Sequence, residues 1–504
     1  DCTNCTFTGN TSTTGVAGGE AKGGGVHNDG NFTATGCLFN ENVATGGIGP
    51  SVAYGGGLSN NFGTSYISDC IFRDNEAIGG SGAGATGANA FGGGVQNEFG
   101  TVYLGGDELT PEQFIGSTLD GNTATGGIGS VTGGIGAGGG SQVGFGTTDH
   151  DRCVLSNNTA IGGAGATTGG QGAGGAAHDG FGSLYLRNTT VSGNAANGGV
   201  GAANGAGNGG GLYCDTASIL GYNCTITNNS ADTSGAGVYC LVGVMEAKND
   251  IIAGNASDDI HLEVGVPFGG ELISSGYNCL GTFVGGGVYT PGTGDQTGVT
   301  SVTLDLWVLG NYGGPTYTHA LGQNSVAINA GDPTPDALSP TDQRGEPRVV
   351  DGTQDVGAYE GILYHANWSK FVNTPYTGYV YVVDVSGGSV VPTYRYYAGI
   401  VAAQMNQDFI FYGTSIPTDC PVPGPLIEIG LPNPNGATRA VIDTVNQLLW
   451  YSDFSSNDVW YVDILNGTYV GSVVLSPETF GQSAIDYEPI SHKDLATMLV
   501  QMAG

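Results

Sequence analysis

Polysaccharide hydrolysis needs two carboxyl groups roughly 5 to 9.5 Å apart, and two places in the chain carry residues that could serve. They are Asp149 with Asp151, and Asp258 with Asp259 and Glu263. Adjacent residues of a strand point to opposite faces, and a chain with 44 Asp and Glu residues produces such pairs by chance. A lyase acting on uronates instead needs cations for the substrate, a base for the proton and acidic ligands for Ca²⁺. Residues 1–265 offer only Lys22, Arg73, Arg152, Arg187 and Lys248, no two of them in equivalent places. His27 with Asp29 and His178 with Asp179 have the residue types of a metal site. They read as five coils apart, about 24 Å at the spacing of stacked strands, and so as surface polar residues. The chain has no Gly-x-Ser-x-Gly and no phosphate-binding loop. Its Gly-Gly-x-Gly runs lack the Asp that follows in Ca²⁺-binding nonapeptides. The expectation is therefore no catalytic residue and no cofactor, with metal ligands unassigned and weak Ca²⁺ binding by the acidic surface the one ion to test.

The chain that carries these residues is a repeat. A Gly-Gly-Gly-apolar block at Gly23 returns at Gly55, Gly92 and Gly209, with altered copies at Gly138, Gly174 and Gly235. Between the blocks lies a second motif that ends in Asn five residues after its start. The Asn positions are Asn10, Asn42, Asn75, Asn122, Asn158, Asn194, Asn229 and Asn255, and Cys5, Cys37, Cys70, Cys153 and Cys224 begin five of the eight copies. Short β-branched and aromatic runs such as Ser65-Tyr66-Ile67, Val102-Tyr103-Leu104 and Leu184-Tyr185-Leu186 are bounded by Gly and Asn, and helical periodicity is absent. Nearly all of the length variation falls between an Asn and the next glycine block, as a stacked solenoid tolerates at one corner. The expected fold is all-β: a right-handed parallel β-helix over residues 1–265, eight coils making a rod of about 40 Å. Asn at a coil corner accepts the left-handed conformation and can bond the Asn above and below, so the eight Asn read as a structural ladder. Stacked Cys lie about 4.8 Å apart with parallel Cβ vectors, which suits a ladder of reduced thiols better than disulfides.

Composition narrows the partners. Eleven Lys and Arg against 44 Asp and Glu give a net charge of −33, which repels nucleic acid and anionic membranes. No run of about 18 apolar residues is present to span a bilayer. The opening at Asp1, inside a repeat and without Met, reads as a processed mature chain.

Residues 266–361 read as closing coils, in which the repeat fades through Gly276-Tyr277-Asn278-Cys279-Leu280, followed by a different signature. It comprises Asn311-Tyr312-Gly313-Gly314-Pro315-Thr316-Tyr317-Thr318-His319-Ala320-Leu321, Ser325-Val326-Ala327-Ile328-Asn329-Ala330-Gly331-Asp332, Thr341-Asp342-Gln343-Arg344-Gly345-Glu346-Pro347-Arg348 and Asp355-Val356-Gly357-Ala358-Tyr359-Glu360. This order resembles the closing segment of secreted bacterial proteins with a choice-of-anchor Q domain, and the coils before it are similar to polymorphic outer-membrane-protein repeats. Asn329 stands where that family has Asp. The resemblance implies an extracellular or cell-surface β-helix and transfers no catalytic residue. Residues 362–504 are richer in aromatics; Tyr379–Asp384, Val441–Asp453 and Val459–Ile464 read as strands of hairpins. They resemble blades of NHL or YVTN propellers, and about 140 residues suit a smaller β-rich domain, a partial propeller or a sandwich. A short helix follows Ser491 with an apolar face.

The resulting expectation is an extracellular, non-catalytic structural protein that forms a homo-polymer by head-to-tail contacts, as a filament or surface layer. Its assembly residues would be Asp1 and Cys2 at one end and Leu495, Met498 and Leu499 at the other, and the segment after the coils would cover the solenoid's C-terminal end. A monomeric adhesin that binds glycans or cell surfaces is the alternative, and a polysaccharide-active enzyme the third reading.

Overall fold

The computed structural model describes residues 1–361 apart from 16–17, 83, 107–114, 266–267, 323, 335–338 and 350–352, and beyond them the seven strands named below. The chain divides into two compact units, Asp1–Leu363 and Tyr364–Gly504.

The first unit is a parallel β-helix. Each full coil passes through five short strands. The first sheet has ten, from Cys2–Thr3 to Val288–Thr290, and the second has ten, from Thr6–Thr8 to Gln296–Thr297. The third has seven, from Thr11–Thr13 to Ser230–Ala231; the fourth has six, from Glu20–Lys22 to Gly207–Asn208; the fifth has nine, from Val26–Asn28 to Phe283–Gly285. The closing coils carry the helix on to Thr297, so that it holds ten rungs, the eight motif copies and two more. The last two rungs escape the motif because Phe283 and Thr300 stand where its Asn would be, five residues after Asn278 and Asp295.

Register explains why these short strands hold. The middle residue of each second-sheet strand points inward, giving the row Phe7, Phe39, Phe72, Leu119, Leu155 and Val191. Phe7, Phe39 and Phe72 stack with ring centroids 4.7 and 4.3 Å apart. The first, second and fifth sheets surround this row and close one continuous apolar core. The third and fourth sheets meet through a different surface made of Ala21, Ala44, Ala53, Ala77, Ala90 and Ala124. Methyl groups alone let two sheets approach this closely.

Beyond the alanines the Gly-Gly-x-Gly insertions form an ordered flange. Gly134 N–H donates to Gly127 O at 2.9 Å, Gly163 N–H to Gly134 O at 2.8 Å and Gly170 N–H to Gly163 O at 2.8 Å, so one network runs both within a coil and between coils. A Cβ on Gly170 would fall far inside contact distance of the Gly134 carbonyl. Glycine is required there so that backbone amides and carbonyls can satisfy one another without side chains between them.

Left-handed backbone lies one residue earlier than the sequence implies. Gly9, Glu41, Asp74, Gly121, Asn157, Gly193, Asn228 and Gly254 have φ between 53° and 75°, and each immediately precedes a ladder Asn. The left-handed residue turns the chain, and the Asn after it adopts ordinary backbone with its carboxamide in the ladder.

The segment after the coils does not close the end of the helix. A single helical turn, Ser301–Leu304, packs beside Ile251, Ala253 and Cys279. The chain then runs back along the outer face of the second sheet as a strap. Thr316 Oγ1 donates to Arg152 O at 2.7 Å, Gln343 Nε2 to Cys153 O at 3.0 Å and Asn249 Nδ2 to Asp355 O at 2.8 Å. Polar outward rows such as Thr190 and Ser192 give the strap more to bond than the solenoid's end would, so the expected end cap is a lateral cover.

In the second unit, Val380–Val382, Thr393–Ala398 and Ile427–Gly430 form a three-stranded sheet. Ala437–Asp443, Leu448–Asp453, Asp458–Asp463 and Thr468–Val474 form an antiparallel four-stranded meander, matching the hairpins read from the sequence. The helix after Ser491, with Leu495, Met498 and Leu499, lies outside the described residues.

Candidate functional site

The carboxylates that sequence spacing offered for hydrolysis are each engaged. Asp149 and Asp151 lie on the same, outward side of the strand Thr147–Asp151, since they are two residues apart. Asp149 is ion-paired with Arg187 from the next rung. Asp151 lies 3.7 Å from Arg152 Nε, accepts from Asn188 Nδ2 at 3.5 Å, and has its pKa raised, chiefly by burial. Asp259 turns inward, whereas Asp258 and Glu263 flank His261 at 3.4 and 3.3 Å. Glu263 also accepts from Tyr239 Oη at 2.7 Å, and that bond is the largest cause holding its pKa down.

The histidines occupy one row but make no shared site. Register runs His27, Ser59, Gln96, Gln142, His178, so the two are equivalent and four rungs apart rather than five. Only His27 is a surface residue, and it lies 3.3 Å from Asp29. His178 is buried in the angle between the fourth and fifth sheets and begins a stack with Tyr213, Tyr239 and His261 at centroid spacings of 5.1, 5.0 and 4.8 Å. Asp179 points the other way, into the interior, where it accepts from Gly182 N–H at 3.0 Å and burial lifts its pKa to about 7. Among the described residues, no three His, Cys, Asp or Glu side chains gather as a metal site.

The Asn ladder is continuous. At each rung the side-chain oxygen accepts both the backbone N–H and the side-chain N–H of the Asn one rung earlier, as Asn158 does from Asn122 at 3.0 and 2.9 Å. The same pattern links Asn10 to Asn42, Asn75, Asn122, Asn158, Asn194, Asn229 and Asn255. Every member passes donors forward, so the last requires an acceptor with none of its own. Asp259 is that group: its carboxylate accepts from Asn255 N–H at 2.8 Å and from Thr282 N–H at 2.8 Å.

The Cys row works likewise. Cys5 N–H points at Cys37 Sγ, Cys37 N–H at Cys70 Sγ, and Cys70 N–H at Ser117 Oγ, all within 3.2–3.3 Å. Cys153 and Cys224 continue the row, which ends through Asp250, Asn278 and Asp295. All nine described cysteines are free thiols.

Two features were missed in the sequence. The first fastens the strap: Ser192 Oγ lies 2.9 Å from His319 Nε2, and His319 Nδ1 lies 2.7 Å from Trp307 O. Both side chains are buried, so this Ser–His pair faces no substrate. The second is a set of exposed apolar surfaces. Phe62, Phe99, Phe145 and Phe181 occupy the same turn between the fifth and first sheets and stack at 5.2, 5.3 and 5.1 Å. They remain 65%, 50%, 54% and 57% exposed. The recurring Phe-Gly at 62–63, 99–100, 145–146 and 181–182 was the available signal.

At the C-terminal end of the solenoid, the strands Phe283–Gly285 and Val288–Thr290 form sheet edges. Leu262, Phe283, Val284 and Tyr289 line a pocket of about 370 Å³ there. Val264, Phe268, Val284 and Val288 are exposed around it. Of the expected assembly residues in the first unit, Asp1 is exposed and Cys2 is half-buried against the main core. Among the described residues, no helix is long and apolar enough to cross a membrane. No protein-family model, curated protein or solved structure matches this chain.

Proposed function

We propose that this protein is an extracellular structural element, without catalytic activity, that self-assembles end to end. The observation carrying this reading is the C-terminal face of the solenoid. Two edge strands present unpaired backbone groups beside a ring of exposed Val and Phe side chains and an apolar pocket. An edge of this kind is a template for a further strand, and the coils below it already stack by parallel pairing. A rung of a second copy supplies the same chemistry at the same spacing, so the reading is head-to-tail growth into a filament or layer. The choice-of-anchor Q resemblance supports a cell-surface setting, and the engagement of the acidic residues in structural bonds supports a non-catalytic role. The strong negative charge disfavours nucleic acid.

Sedimentation velocity and negative-stain microscopy of the full chain, from about 1 to 100 µM and with or without Ca²⁺, test the proposal. Rods that lengthen with concentration are expected, and Val284→Lys with Val288→Lys should keep them short. A monodisperse monomer throughout that range refutes it. A monomeric glycan-binding adhesin is the second reading, favoured by the exposed Ile48, Ile128 and Val200 at the flange tip. Binding on a glycan array by a chain that stays monomeric would select it.

A further inference from the structure

We infer that the phenylalanine ridge is a lateral contact between two copies of this chain, distinct from the end-to-end contact proposed above. The four rings leave about 450 Å² of apolar surface exposed, taking roughly 200 Å² for a whole Phe side chain. A contiguous apolar patch of that size is at the level where monomers reserve it for binding. It is also somewhat more than half of what one partner contributes to a standard protein interface.

A second copy is the occupant for two reasons. First, a chain of net charge −33 repels itself over most of its surface, so self-association requires a strip where charge is sparse. The residues just before the four Phe are Asn61, Glu98, Gly144 and Gly180, and those just after are Gly63, Gly100, Gly146 and Gly182, so these eight positions carry one charge, with Asp29 and Asp215 on the rungs at either end. The glycines also leave no side chain to hold a partner away from the rings. Second, the ridge is straight and periodic, with rings spaced 5.1 to 5.3 Å. Two such ridges related by a two-fold axis, antiparallel and offset by half a period, interdigitate edge to edge, as a self-complementary contact requires. The ring faces are already occupied by one another, so the ridge offers edges rather than the open faces a stacked sugar would need.

The experiment compares the full chain with Phe99→Ser/Phe145→Ser, after circular dichroism has verified an unchanged fold. Sedimentation equilibrium should show pairing in the parent and a loss of about 100-fold or more in the double variant, as expected for two central aromatic anchors. Pairing should strengthen between 0.05 and 0.5 M NaCl, because salt screens the like charges while the apolar contact persists. In micrographs the variant should narrow the assemblies without shortening them, whereas the Val284→Lys/Val288→Lys pair should shorten without narrowing. The inference is overturned if the parent does not pair at 100 µM in high salt, or if the Phe variant pairs as well as the parent. It is equally overturned if the parent stays monomeric and binds phosphatidylcholine vesicles through these rings.

Discussion

Truncating an interior rung of the Asn ladder should cost several times more than truncating an outer one. In Asn158→Ala the lost carboxamide served four bonds. Asn122 Nδ2 keeps a partner at Phe72 O, 2.9 Å away, and Asn194 Oδ1 keeps the Asn158 N–H at 2.9 Å. The backbone N–H of Asn122, bonded at 3.0 Å, loses its partner, whereas the carbonyl of Leu119 loses the side-chain donor at 2.9 Å but keeps the Ser156 N–H of the strand ladder. Leaving one buried polar group unpaired costs about 1–3 kcal/mol and losing the bond to Leu119 O about 1 kcal/mol more, so the variant should lose about 2–4 kcal/mol. In Asn10→Ala one exposed side-chain donor is removed, and Asn42 Oδ1 still accepts the Asn10 N–H at 3.1 Å. That change should cost less than about 1 kcal/mol. Urea unfolding followed by circular dichroism measures both, with amide exchange at Asn122 reporting the local opening expected of a stacked repeat. If the two variants are equally stable, or if Asn158→Ala is within about 1 kcal/mol of the parent, the ladder is not what holds this corner.

Other expectations follow from single residues. Asp179 is buried with its pKa raised to about 7 from 3.8. The folded state therefore binds more protons than the unfolded chain between these values, and stability falls as pH rises through that window. Asp179→Asn should leave stability at pH 4 unchanged and raise it by a few kcal/mol at pH 8, read as thermal midpoints at both values. Gly170→Ala should lower stability by about 1–3 kcal/mol or more through backbone displacement in the flange, whereas Gly30→Ala, whose Cβ meets nothing within 4 Å, should be nearly neutral in the same melts. Burial lowers the pKa of His319 below 6.5, so the unfolded form takes up protons first and strap stability is lost as pH falls below that value. Limited proteolysis within residues 306–361 should accelerate below pH 6, and His319→Ala should show faster cleavage already at pH 7.5.

The fate of the acidic and histidine residues shows why function was harder to read than fold. Asp149 had the sequence neighbours of a catalytic group, yet its partner Arg187 lies on the adjacent rung, 38 residues away. Asp259 appeared to be one of a carboxylate cluster and is instead the terminal acceptor of the ladder. Both roles depend on which residue stacks on which, and register must be known before either can be assigned.

What the sequence determined by itself is the stacking. A coil repeated in one dimension puts equivalent residues above one another, so the period alone identified the eight Asn and the five Cys as rows. Asn carries both a donor and an acceptor and can therefore propagate a ladder. What only the tertiary structure decided is which outward faces are covered. Thr190 is buried because Gln343, 153 residues later, bonds to it, and His178 because the glycine turn folds the fourth sheet against the fifth. Phe62, Phe99, Phe145 and Phe181 stay open because no described residue returns to that corner. Contacts between segments so distant in the chain leave no local period, and only the tertiary structure separates the exposed ridge from the outward rows that the strap covers.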